Sequence, residues 1–256
     1  NVSLDDKAHT LNGSIEIDYT NNSNEHLDVL WFHLWPNAYK NLETAFAKQR
    51  ERFLSTKFIY SDEDDRGYID SLNFVVNGVS AEIENHPEWI DVAKVILPEP
   101  LLPGKVINIE TPFFIKLPKV FSRLGHTGKH YEITQWYPKP AVYDKDGWHP
   151  MPYLNMGEFY SEFGSFDVRI TLPKQYRIMA TGDLINSDNE LQWLDSLALL
   201  GESLLMLDKK SFKKKIKTLK KNKKTSFKKT DDDKLIKSIP KYKTIRFIQD
   251  NVHDFA

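Results

Sequence analysis

Between residues 1 and 184 the chain alternates short β-branched and aromatic runs with turn clusters, the two-residue period of half-buried strands. Ser14-Ile15-Glu16-Ile17-Asp18-Tyr19-Thr20, followed by Asn21-Asn22-Ser23-Asn24, reads as a strand and then a turn. The pattern recurs at residues 27–34, 69–76, 92–97, 105–115, 166–172 and 176–184, with Asn77-Gly78 and Leu102-Pro103-Gly104 as punctuation, and predicts at least seven strands. Short strands at this spacing fold as a sandwich or an open barrel.

Two stretches depart from that period. Residues 41–54 are rich in helix formers, and residues 187–207, with Leu191, Leu194, Leu197, Leu199, Leu200, Leu204 and Leu205, predict a long helix. The tract at 209–229 then carries 12 lysines and no acid, which predicts a mobile loop because like charges repel and little apolar surface offsets the ordering of the chain. At Lys243-Thr244-Ile245-Arg246-Phe247-Ile248 a strand resumes, expected to pair with an earlier one such as residues 178–184. Residues 1–256 therefore read as one all-β domain with a helical and lysine-rich excursion at 187–240 before the last strand.

Composition narrows the class. Hydrophobic residues make up 40% and charged residues 28%, a globular balance, and no run approaches the roughly 18 apolar residues of a membrane span. The net charge of -1 hides an acidic body and a basic tract. With no cysteine there is no disulfide framework and no thiolate nucleophile or metal ligand. The first residues, Asn1-Val2-Ser3, are expected to follow a removed signal or a trimmed start, and an exported, periplasmic setting is favoured over the cytoplasm.

A hydrolytic zinc site on a helix needs His-Glu-x-x-His, and none occurs. Of the eight histidines only His126 and His130 are four apart, and their neighbours Gly125 and Gly128 make that stretch a loop with solvated or hydrogen-bonded imidazoles. A phosphate-binding glycine loop, a Gly-x-Ser-x-Gly elbow and a dinucleotide fingerprint are also missing. Asp62-Glu63-Asp64-Asp65 lacks the glycine and terminal glutamate of a calcium loop and reads as an acidic turn. No nucleic-acid partner is expected for the lysine tract, where aromatic residues are limited to Phe212 and Phe227.

The densest segment runs from Tyr131 to His149. Its Trp136, Tyr137, Tyr143 and Trp148 read first as a buried aromatic ridge, whereas Gln135 offers an orientable carbonyl acceptor at the rim of a cleft. Phe121-Ser122-Arg123-Leu124-Gly125-His126, Thr134-Gln135-Trp136-Tyr137-Pro138, Ala141-Val142-Tyr143-Asp144, Gly147-Trp148-His149 and Gly157-Glu158-Phe159-Tyr160-Ser161-Glu162-Phe163-Gly164 together resemble a bacterial branch of the M1 (gluzincin) zinc aminopeptidases. The opening residues 4–13, Ala180-Thr181-Gly182-Asp183-Leu184 and the closing residues 249–256 fit the same domain, so the resemblance spans nearly everything but the lysine tract.

The resemblance implies a saddle-like β-sandwich that precedes a catalytic domain. It places zinc, the general base and peptide-bond cleavage beyond residue 256, leaving no cofactor and no catalytic residue in this chain. It also implies two partners, the downstream catalytic domain and the free amino terminus of a peptide substrate. In the family a Thr-Gln-aromatic-Glu/Gln stretch grips that terminus. Gln135 matches its first gripping position and Tyr137 stands at the second, where the family has an acid or amide. The competing function is a freestanding β-sandwich module that binds peptide or carbohydrate on the Trp136, Tyr137, Tyr143 and Trp148 ridge.

Overall fold

The computed structural model describes residues 1–225 and 241–256, and every number or absence given for the structure refers to those residues. The chain opens with β1 (Val2–Asp5), β2 (Thr10–Thr20) and β3 (Leu27–His33). A 3-10 turn at Trp35–Tyr39 leads into α1 (Ala45–Arg52) and the single turn α2 (Thr56–Ile59). Thr44 starts α1 by accepting the Ala47 N–H at 3.1 Å, satisfying a donor the helix itself leaves unpaired. Five strands follow: β4 (Tyr68–Asp70), β5 (Val75–Val76), β6 (Val79–Ser80), β7 (Glu82–Asn85) and β8 (Val92–Leu101). Then come β9 (Val106–Lys116), the hairpin of β10 (Gly125–Thr127) with β11 (His130–Glu132), β12 (Lys139–Pro140), and the hairpin of β13 (Val142–Asp144) with β14 (Gly147–His149). The chain continues through β15 (Gly164–Pro173), β16 (Asp183–Ile185), α3 (Asp188–Leu205) and α4 (Lys209–Thr225), and ends on β17 (Tyr242–Val252).

The result is an all-β sandwich, as the alternation predicted. Its larger sheet has nine strands in the order β16-β17-β15-β1-β2-β9-β5-β6, with β4 also on β9; the smaller has the order β12-β3-β8-β7. β1 and β15 run parallel, while the other ladders are antiparallel. One apolar cluster joins Trp35, Tyr39, Phe46, Phe58, Phe121 and Tyr153, so the inserted α1 and α2 complete the core. A second holds Leu30, Phe32, Phe74, Val95 and Ile109 between the two sheets.

Three expectations need correction or refinement. Of the strand expected at 176–184, strand structure begins only at Asp183. Tyr176, Ile178 and Ala180 pack against the core in alternation, yet their backbone has no ladder: Tyr176 N–H closes a turn on Pro173 and Thr181 N–H reaches the Ala256 carbonyl. β17 does return to pair with β16, at Asp183 to Ile185, and along the whole of β15. The lysine tract is not a loop over its first part, because Lys209–Thr225 is helical. Lysine is a good helix former, and Phe212, Ile216 and Leu219 recur at helical spacing. The remainder of the tract lies outside the described residues. Gly125 opens strand β10 and Gly128 follows it, so the stretch around His126 and His130 is a hairpin instead of a plain loop.

Candidate functional site

The Thr134-to-Lys139 segment crosses from β11 to β12 and is held at almost every residue. Thr134 Oγ1 donates to the Arg123 carbonyl at 2.8 Å. Trp136 is 6% exposed, and its indole N–H donates to the Phe255 carbonyl at 3.1 Å. Tyr137 is equally buried, and its hydroxyl donates to Asp254 Oδ1 at 2.8 Å. Burial and that carboxylate hold the Tyr137 phenol well above the ordinary tyrosine range. Lys139 sits 3.3 Å from Asp254 and donates to the His253 carbonyl; desolvation lowers its pKa while Asp254 works in the opposite direction. Residues 253–255 thus staple the segment to the domain.

Gln135 is the exception. Its backbone sits in the left-handed region at φ 49°, which a residue with a Cβ adopts only at a cost. Its Oε1 is buried and has no hydrogen-bond partner. A buried carbonyl left unpaired costs roughly 1–3 kcal/mol, which a matching donor would recover.

The motifs that flank it converge on Asp144. His149 Nε2 lies 2.7 Å from Asp144 Oδ1, and Tyr160 donates to Oδ2 at 3.0 Å. These contacts, that of His149 first, pull the Asp144 carboxyl down to about 2. The predicted aromatic ridge divides in two. Trp136 and Tyr137 enter the main core, whereas Tyr143 and Trp148 meet at 5.0 Å on the β13–β14 hairpin beside the second cluster. A half-open groove of about 1360 Å³ runs between that hairpin and the large sheet, with Ile17, Tyr19, Tyr143, Phe163 and Val168 among its walls. Trp136, Tyr137 and Lys139 line it, and Gln135 is not among its lining residues.

Two predicted site residues are therefore separated by one buried turn of chain. Gln135 presents a free acceptor; Tyr137, expected beside it, has its hydroxyl engaged by Asp254. Asp254 was not singled out from sequence, although its Asn-Val-His-Asp-Phe setting belonged to the motifs quoted above. His126 stacks on His9 at 3.7 Å, while the His130 side chain is exposed 3.7 Å from Glu132. Within Asp62-Glu63-Asp64-Asp65, Asp65 bonds Lys119 at 2.6 Å. Among the described residues no group of three or more His, Asp or Glu converges to hold a metal. No helix among them is long and apolar enough to cross a membrane.

No family model matches the chain, and no curated protein does. Solved structures do. An M1 zinc metallopeptidase mutant from Deinococcus radiodurans bound to a Tyr-Ser-Ala substrate aligns with a TM-score of 0.39 and 14% identity, over 72% of this chain and 34% of that one. The same organism's M1 zinc metallopeptidase aligns at 0.37 and 14%, over 69% and 31%. A two-domain M1 zinc metallopeptidase mutant bound to L-arginine aligns at 0.37 and 14%, over 70% and 32%. This chain spans about a third of the length of the structures it matches.

Proposed function

We propose that this chain is the non-catalytic amino-terminal domain of a zinc metallo-aminopeptidase, and that it recognises the free amino terminus of the peptide whose first residue a following catalytic domain removes. The motif resemblance supports the reading, and one observation carries it: Gln135 holds a buried, unpartnered carbonyl oxygen in a strained backbone that its neighbours over-determine. Gln135 as a whole is only half-buried, so a turn of its side chain brings Oε1 to the surface, where an α-ammonium group supplies the missing donor. In this reading Tyr137 acts through Asp254 by holding the segment in place, and the substrate meets Gln135. A second reading, a freestanding peptide- or carbohydrate-binding module, draws on the aromatic groove between the β13–β14 hairpin and the large sheet.

The test is Gln135→Ala in the full-length protein encoded by the gene. A charge-assisted hydrogen bond contributes roughly 1.5–3 kcal/mol, so kcat/KM for free-amino peptides should fall about ten- to a hundredfold. Folding and zinc content should not change, and amino-blocked inhibitors should bind as before. Equal losses for free and blocked ligands would assign Gln135 to structure. A gene with no metallopeptidase region beyond residue 256 would favour the freestanding module.

A further inference from the structure

The α3–α4 helical pair stands apart from everything the sandwich explains. No residue of α3 is buried, and Leu199, Leu205 and Met206 are 65%, 82% and 87% exposed. A soluble surface rarely spends three large apolar side chains this way within one short stretch. Asp208 turns the chain by accepting the Lys210 and Ser211 N–H groups, and α4 follows at once. On α4, Phe212, Ile216 and Leu219 form one narrow stripe, with Phe212 and Leu219 about two-fifths exposed. The exposed side chains of Lys213, Lys214, Lys215, Lys217 and Lys220 surround that stripe, and the helix has no acid. At the other end α3 is anchored: Glu190 bonds Lys243 on β17 at 2.6 Å, and the same ammonium lies 4.2 Å from the Trp193 ring centre.

A helix of low overall hydrophobicity with a thin apolar stripe and a dense lysine face has the chemistry of an interfacial helix, which lies in the plane of a bilayer surface. Its apolar residues enter the acyl boundary while its cations meet lipid phosphates. Nucleic acid offers phosphates too, but gives no place for exposed Leu205 and Met206, and the tract has no arginine to read them. We propose that the α3–α4 pair is a peripheral docking element for an anionic phospholipid bilayer, with the helix junction as its apolar wedge and α4 as its cationic face. It requires nothing of Gln135, so the two readings stand or fall separately.

Flotation of the purified full chain with vesicles of phosphatidylcholine alone, or with about one-third phosphatidylglycerol, tests it. Each lysine near an anionic surface strengthens partitioning about fivefold. The anionic vesicles should therefore bind at least a hundredfold more tightly, and the advantage should shrink as salt rises. The triple variant Lys213→Glu, Lys214→Glu, Lys217→Glu should abolish it with an unchanged circular dichroism spectrum. Should that triple unfold, the corresponding Lys→Gln triple, which removes charge without reversing it, should still weaken binding about a hundredfold. Leu205→Ser with Met206→Ser should weaken binding at least fivefold. Equal binding to both vesicle types, wild-type binding by the lysine variants, or indifference to the Leu205 and Met206 changes would overturn the proposal. Tighter binding to a DNA duplex or an acidic polypeptide than to the anionic vesicles would overturn it as well.

Discussion

The Thr134-to-Lys139 segment and the α3–α4 pair are both crossings between strands, yet they are held in opposite ways. The first is threaded through the core: Trp136, Tyr137 and Lys139 are each less than a tenth exposed, and three consecutive residues near the end of β17 bind them. The second touches the sandwich at Glu190 and Trp193 and buries none of α3. Burial and hydrogen bonding make the first a fixed segment, with Gln135 held in the left-handed region of backbone space. The second is free to take its final packing from whatever it meets. Rigidity in this chain follows buried area and satisfied polar groups.

The most direct way to break that comparison is to cut into each region. Phe58 is fully buried against Phe46, Phe121 and Tyr39, with ring centres 5.0, 5.0 and 6.4 Å away. Phe58→Ala removes a large side chain from a packed site and should cost about 3–5 kcal/mol. Leu199→Ala, on the exposed side of α3, should stay within about 0.5 kcal/mol. Urea denaturation of both variants decides: comparable losses would mean that α3 is packed as firmly as the sandwich.

Next in size is the ion pair beneath the Thr134-to-Lys139 segment. Lys139 and Asp254 have side chains 8% and 15% exposed, so removing one partner strands the other charge away from water. Asp254→Ala should cost about 3 kcal/mol and also loosen Tyr137, whose hydroxyl donates to the same oxygen. Hydrogen exchange at residues 134–139 should then rise above that of β2. Glu190→Ala removes a comparably close ion pair at the foot of α3, and its exchange effect should remain within α3. Spread of the Glu190 effect into the large sheet would show that the excursion supports the sandwich.

The strands were legible because alternating burial is written directly into residue type, as at Ile15, Ile17 and Tyr19 against Glu16 and Asp18. The same rule misled at 176–182, since alternation records which side chains pack and says nothing about whether a neighbouring strand is within hydrogen-bonding reach. Over Lys209–Thr225 the loop reading fails because it weighs charge repulsion over helix propensity. Repulsion among exposed ammonium groups is screened by water and salt, while the propensity and the Phe212, Ile216, Leu219 spacing act locally. Gln135 could be chosen from its aromatic neighbours. Its left-handed backbone and orphaned carbonyl could not, because they belong to a segment whose next two residues are held by partners more than a hundred positions away.

The smallest expected effect, and the finest probe of the comparison, is pH. His33 and Asp91 both brace the entry to residues 151–153: His33 Nε2 accepts the Met151 N–H at 3.1 Å, and Asp91 Oδ2 accepts the Tyr153 N–H at 2.7 Å. Desolvation drives them apart, His33 down to about 3 from 6.5 and Asp91 up to about 6 from 3.8. Between pH 6.5 and 3 the unfolded chain carries a proton on His33 that the folded chain lacks, so this residue removes stability as pH falls. Between pH 6 and 3.8 the folded chain carries the extra proton on Asp91, so that residue adds stability as pH falls. The two slopes oppose each other over most of their range. Asp91→Asn keeps an oxygen acceptor for Tyr153 and deletes only the titration. At pH 7 the variant should therefore gain up to roughly 2–3 kcal/mol over wild type, and the gain should disappear by pH 4. With Asp91 silent, the His33 slope of about 1.4 kcal/mol per pH unit should emerge as stability falls from pH 6 to 4. Denaturation curves at half-unit intervals read the Asp91 titration as the difference between variant and wild type, in which His33 and the other titrating groups cancel, and read the His33 slope as the further difference made by His33→Gln in the Asp91→Asn background. A Leu199→Ala control on α3 should show no change with pH across the same window, since it removes no titrating group. A constant Asp91→Asn difference from pH 4 to 7 would mean that Asp91 titrates alike in folded and unfolded chains, and would remove the sandwich's distinction from the excursion on this measure.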